Sequence, residues 1–225
     1  MRFERYIGID YSGAATPTSG RSGLRVFEAT RSGEATRVDP PPSRRVHWTR
    51  QGVATWLVDR LLDGTPTFVG IDHGFSFPIA YFERHGLDLD WTTFLDDFCA
   101  HWPTDVEDMT VQRVQDGEVG RAAARTGDPT WFRETERRTG SAKSVFRFKV
   151  HGQVAMSTHA GLPWLRHVRT ETKAWIWPFD GWTPPTRRTV VAEVYPRLWN
   201  RRADRGRRTP DEHDAWSIAR AVALA

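Results

Sequence analysis

The chain has 225 residues, enough for one large domain, or one domain carrying a big insertion, with a real core and no covalent staples. Its single cysteine, Cys99, excludes an internal disulfide and a thiolate zinc site, and no run approaches the roughly 18 apolar residues of a membrane span, so a cytoplasmic, reducing location off the membrane is expected. The net charge of +4 is carried by arginine, since only Lys143, Lys149 and Lys173 are lysine; that bias suits phosphate recognition and fits a G- and C-rich genome equally well.

Arg5 to Tyr11 reads as a buried strand rising to Asp10, followed by a flexible loop from Ser12 to Gly23. Leu24 to Thr30 and Glu34 to Val38 alternate as two strands joined by a Ser32-Gly33 turn. Thr49 to Leu62 has the spacing of an amphipathic helix, stopped by Gly64, and Thr67 to Asp72 is a second buried strand. Strand, strand, strand, helix, strand predicts an antiparallel meander to which a parallel strand is added beside the first. Helices are then expected over Trp91–Trp102, Asp105–Arg125 and Thr130–Arg138, and over Val154–Val168 with a break at Gly161-Leu-Pro163. Ala174 to Trp177 and Thr189 to Val194 read as strands, Pro196 to Arg202 as a short helix, and Pro210 to Ala225 as a closing helix. That last helix reaches Ala225 with no stop signal, which leaves an extension past it open.

Tyr6-Ile-Gly-Ile-Asp10 and Phe68-Val-Gly-Ile-Asp72 are nearly one pentapeptide. As parallel neighbours they would set both aspartates at the carboxyl edge of the sheet, where ligands of α/β folds bind. Aspartate also closes strands simply as a turn former. Glu193 lies in an apolar strand, and Asp211 and Asp214 share one face at the start of the last helix. Asp211 there also reads as a helix-capping charge. Carboxylates brought together must protonate or share a cation, and an all-oxygen set suits Mg²⁺ or Mn²⁺. Asp10, Asp72 and Asp214 are the expected metal ligands; Glu193 and Asp211 compete to complete the catalytic set.

The strand ends Tyr6–Asp10 and Val69–Asp72, with Ala192-Glu-Val-Tyr-Pro196 and Asp211-Glu-His-Asp-Ala215, resemble the motifs of the DUF429 proteins. Lys143 to Phe148, Gly152 to Ala155, Gly161 to Leu165 and Trp177-Pro-Phe-Asp180 resemble that family too. The likeness implies a predicted nuclease of the ribonuclease H-like superfamily. The chain itself reads as one α/β domain, a mixed sheet with flanking helices and a large, mostly helical insertion at roughly 88–185 before the last strand. The helix start with two aspartates is similar to that of Holliday junction resolvases, which share the fold. About a hundred residues separate the Asp72 and Glu193 strands, where simple resolvases have far fewer, and this leaves the substrate open.

Around the carboxylates, Lys143 in Gly140-Ser-Ala-Lys-Ser144, and Arg207 and Arg208 in the basic run Arg201 to Arg208, are candidates to hold substrate phosphates, and both stretches also read as solvated loops. Trp199 and Trp216 are candidates to stack on bases. His73 and His213 read more simply as structural than as proton carriers. The expected activity is metal-dependent phosphodiester hydrolysis, with nucleic acid as partner. Nucleotide-dependent phosphoryl transfer and a non-catalytic binding domain are the alternatives. No phosphate-binding loop, serine elbow, dinucleotide fingerprint or His-Glu-x-x-His motif occurs.

Overall fold

The computed structural model describes residues 3–31, 34–42, 46–148 and 154–223. The Ser32-Gly33 turn lies outside them. By contacts the chain divides into two compact units. The first holds residues 1–11, 19–73 and 167–225; the second holds 12–18 and 74–166.

The first unit is built on a six-stranded mixed sheet, β1 (Arg5–Asp10), β2 (Arg25–Thr30), β3 (Thr36–Val38), β4 (Thr67–Asp72), β5 (Trp175–Trp177) and β6 (Val190–Glu193), in the order β3-β2-β1-β4-β6-β5. The expected meander is present: β1, β2 and β3 pair antiparallel, and β4 lies parallel to β1. β6 and β5 extend the sheet in the same direction. Asp10 is in register with Asp72, and Gly8 with Gly70.

Between β3 and β4 runs α1 (Arg50–Leu62), capped by Thr49, whose hydroxyl accepts from the Gly52 N–H at 2.9 Å. Val53, Ala54, Leu57 and Leu61 are its buried stripe. Its far end is tied to the sheet by ions. Arg5 donates to the Arg60 carbonyl at 2.7 Å and to Asp63 at 2.6 Å, while Arg60 donates to both Glu28 oxygens. The Arg5 guanidinium holds the Asp63 carboxyl down at about 2. Strand alternation puts Arg5, Ile7 and Ile9 on one face and Tyr6, Gly8 and Asp10 on the other. The second face is covered by the closing helix, whose Ala215, Trp216 and Ala219 form a core with Tyr6, Phe27 and Ala29.

The second unit is helical: α2 (Ile79–His85), α3 (Trp91–His101), α4 (Val111–Gln115), α5 (Glu134–Thr139) and the first part of α6 (Val154–Thr172). Its core is aromatic, with Phe77 edge-on to Tyr81, Phe94, Phe98 and Phe146. His159 is buried among these rings, and burial holds its imidazole neutral, down at about 3.

The helical unit and the expected 88–185 insertion overlap without coinciding. It begins at Gly74 and ends at Arg166, so β5 belongs to the sheet unit. Three helical expectations change. The Asp105–Arg125 stretch keeps only α4 and a short 3-10 helix at Ala122–Arg125, because Asp108, Gly117 and Gly120 all take positive φ. α6 is continuous through Pro163, since the buried residues Ala155, Thr158, His159, Leu162 and Leu165 override the one hydrogen bond the proline removes. Pro196–Arg202 forms two 3-10 turns, at Pro196–Leu198 and Asn200–Arg202, rather than one helix. α2 was not anticipated; its sequence signals are Gly86, which ends it in the left-handed conformation, and the basic Arg84 and His85 in its last turn.

Candidate metal centre

The repeated pentapeptide builds the site. In Tyr6-x-Gly8-x-Asp10 and Phe68-x-Gly70-x-Asp72, alternate residues share one face, so an aromatic, a glycine and an aspartate follow one another along each strand. The closing helix α7 (Pro210–Ala223) lies on that face. The glycines set how closely it lies. A Cβ on Gly8 would stand 2.1 Å from the Ala215 carbonyl oxygen and 2.6 Å from the Ala219 nitrogen. One on Gly70 would stand 2.5 Å from the Ile218 methyl. The helix stripe over the sheet is therefore Ala215, Ile218 and Ala219, and one turn earlier the same stripe carries Asp211 and Asp214. Both arrive over the strand ends where Asp10 and Asp72 stand.

Electrostatics records the meeting. Burial raises the Asp10 carboxyl well above its ordinary range, and the charges of Asp72, Asp211 and Asp214 push it further, against one hydrogen bond from the Tyr11 N–H. Asp72 is pushed up to about 8, first by burial, then by Asp214 and Glu193. Asp211 is raised by burial and by Asp214, with Arg25 opposing. Asp10 thus feels the charges of Asp72, Asp211 and Asp214, and Asp72 that of Asp214. Glu193 stands differently. It is in register with Ile71, one residue off Asp72, so its side chain starts from the other face of the sheet. It repels Asp72 and is not among the charges that raise Asp10.

A capping role does not account for Asp211. That work falls to Thr209, whose hydroxyl accepts from the Glu212 N–H at 3.2 Å, and to Glu212, which accepts from the Thr209 N–H at 2.9 Å. Two residues of the site escaped sequence reasoning. Asn200 donates from Nδ2 to Asp214 at 2.6 Å, while its carbonyl accepts from His213 Nε2 at 2.8 Å. Arg25 stands opposite Asp10 in β2, a position the meander register could have revealed.

Among the described residues, no group of three or more His, Cys, Asp or Glu side chains is placed so as to hold a metal ion. The donor chemistry nevertheless fits a hard divalent cation: carboxylate oxygens, crowded, half-buried and mutually destabilised.

The other candidates separate. His213 stacks on Trp216 and is fixed by Asn200; His73 is buried with its ring edge-on to Tyr11 at 4.7 Å. Both are structural in this arrangement. Arg208 lies 3.9 Å over the Trp216 ring and donates to the Asp204 carbonyl, so it braces α7. Burial takes Trp216 out of any stacking role, and the half-buried Trp199 indole donates to the Ser217 carbonyl. Arg207 is exposed. Lys143 is an exposed residue of the helical unit.

No family model, curated protein or solved structure matches the chain. The resemblance to DUF429 proteins therefore rests on its short motifs alone.

Proposed function

We propose that the chain is a divalent-metal-dependent phosphodiesterase acting on nucleic acid, built on a ribonuclease H-like sheet. The observation that carries the proposal is the in-register pair Asp10 and Asp72 beneath the Asp211/Asp214 end of α7, a set of carboxylates whose burial and mutual repulsion call for a cation. The meander with a parallel fourth strand is the topology this reading requires, and β5 beyond β6 is an addition to it.

Asp10, Asp72 and Asp214 would hold Mg²⁺ or Mn²⁺, with Asp211 at the rim and Glu193 reaching Asp72 from the other face. The bound cation supplies Lewis-acid polarisation of the phosphate and a nucleophile at neutral pH. The chain's own part is orientation. Asn200 fixes the rotamer of Asp214 through its 2.6 Å hydrogen bond. β6 ends and α7 begins at the carboxylate edge, Asn200 ties the segment between them to Asp214, and that segment exposes Arg197, Arg201, Arg202, Arg205 and Arg207. Those guanidinium groups suit a phosphate backbone.

The test is a panel of single-stranded, duplex and branched DNA and RNA with Mg²⁺ or Mn²⁺. Cleavage is expected with metal, none in EDTA, and about a 10³-fold loss in Asp10→Asn. Equal cleavage by the variant, or no cleavage of any form, overturns the proposal. Asn200→Ala is expected to weaken Mn²⁺ binding by roughly 10–100-fold. Unchanged affinity by calorimetry removes Asn200 from the site.

A further inference from the structure

The edge of the sheet next to the carboxylates carries a second feature. β5 is the last strand, and an edge strand ordinarily offers free backbone groups for pairing. Here Ile176 has none to offer outward. Its N–H donates to the Asp180 carboxylate at 2.6 Å and its carbonyl accepts from the Asp180 N–H at 2.9 Å. Arg169 donates to the same carboxylate and holds it in place. The segment that closes the edge also fixes two indoles. Trp177 donates to the Trp182 carbonyl at 3.3 Å, and the two rings meet edge-to-face with centroids 5.3 Å apart. Trp182 nevertheless remains 75% exposed. A single exposed apolar side chain is ordinary, but here the open ring is packed against a second indole, which gives the pair a polar-edged aromatic surface.

Its position says what. Trp177 is in register with Ala192, which is in register with Gly70, so Trp177 shares the face of Gly70 and Asp72. Two strand spacings across and two residues along put its Cα about 12 Å from that of Asp72. The exposed arginines between β6 and α7 start from the same edge of the sheet. Aromatic rings and exposed guanidinium groups that start from one edge of the sheet suit an unpaired nucleotide, because every base has a face that stacks on indole. The closed β5 edge disfavours the alternative of a peptide added as a strand.

We infer that Trp177 and Trp182 form a stacking platform for an unpaired base of a single-stranded nucleic acid whose backbone passes the carboxylates. This rests on the phosphodiesterase reading and extends it to a substrate class, namely single strands or substrates with a single-stranded arm.

The experiment measures binding of a labelled single-stranded oligonucleotide to the full chain by fluorescence anisotropy in EDTA, where cleavage cannot intervene. Trp182→Ala is expected to weaken single-strand binding about tenfold or more, Trp182→Phe to keep most of it, and duplex binding to change little. Trp182 is exposed, so both variants should melt with the wild type. Unchanged affinity in Trp182→Ala overturns the platform, as does the absence of any single-strand binding. A change of oligomeric state in Trp182→Ala also overturns it, since the ring would then cover a second copy. The two proposals fail separately. If Asp10→Asn loses cleavage while Trp182→Ala binds normally, the platform falls and the metal centre stands. If Trp182→Ala loses the strand while Asp10→Asn cleaves as wild type, the metal centre falls.

Discussion

Asp72→Asn should make the metal-free protein more stable at neutral pH while removing its proposed activity. Asparagine keeps the shape of the side chain and removes the charge that burial, Asp214 and Glu193 all oppose. Its amide can donate to those same carboxylates. The sign follows from proton binding. The folded Asp72 carboxyl titrates at about 8, against an ordinary value of 3.8, so between those limits the native state holds a proton that the unfolded chain releases. The stability this represents is fully present below about pH 4 and is lost as pH rises through about 8. Each pH unit in that window removes at most about 1.4 kcal/mol. Solvent reaches part of the half-buried side chain, so the realised gain in Asp72→Asn at pH 7.5 is set at about 2 kcal/mol. For a chain of this length that is a rise in Tm of roughly 4–8 °C.

Two controls sharpen the result. In EDTA the wild-type Tm should fall from pH 5 to pH 8, and the variant should lose much of that slope. Adding Mg²⁺ should raise the wild-type Tm at pH 7.5 and leave the variant nearly unmoved, since a ligand that binds only the folded state stabilises only a protein that binds it. A variant no more stable than wild type in EDTA means that Asp72 does not carry the strain assigned to it, and the case for a cation loses its support.

Much of this site could be read from the sequence because it depends on backbone periodicity. A period of two sends Tyr6, Gly8 and Asp10 to one face, and the crossover through α1 makes β4 parallel to β1, so two aspartates in the same frame must end side by side. The i, i+3 spacing of Asp211 and Asp214 worked in the same way. What escaped depends on side-chain partners at long range. Trp216 reads as a possible stacker until the fold sets it in the core under Arg208 and against His213. Asn200 has no periodicity to mark it; only the turn that follows β6 brings it to Asp214. In the helical unit, short pieces separated by glycines in positive φ defeated the expectation of one long helix, because propensity summed over a window does not see a single left-handed residue.

The glycines inside the repeat set how closely α7 lies on the sheet. Gly8→Ala should cost about 3 kcal/mol or more, a fall in Tm of roughly 6–12 °C. The added methyl would meet backbone atoms of α7, the Ala215 oxygen at 2.1 Å and the Ala219 nitrogen at 2.6 Å, and no rotamer change moves a backbone. The helix must lift, and Asp211 and Asp214 lift with it. Gly70→Ala is the instructive contrast. Its methyl would meet the Ile218 side chain, so trimming Ile218 to Ala in the same chain should recover part of the loss. No such second change should rescue Gly8→Ala. Gly8→Ala should also weaken Mn²⁺ binding in whatever fraction remains folded, because the distance between helix and sheet sets the distance between the two pairs of aspartates. A Gly8→Ala protein that melts within about 1 °C of wild type would mean that α7 has room to spare. The repeated Gly-Ile-Asp would then be a coincidence of two strand ends, with no role in bringing α7 close enough to set Asp211 and Asp214 against Asp10 and Asp72.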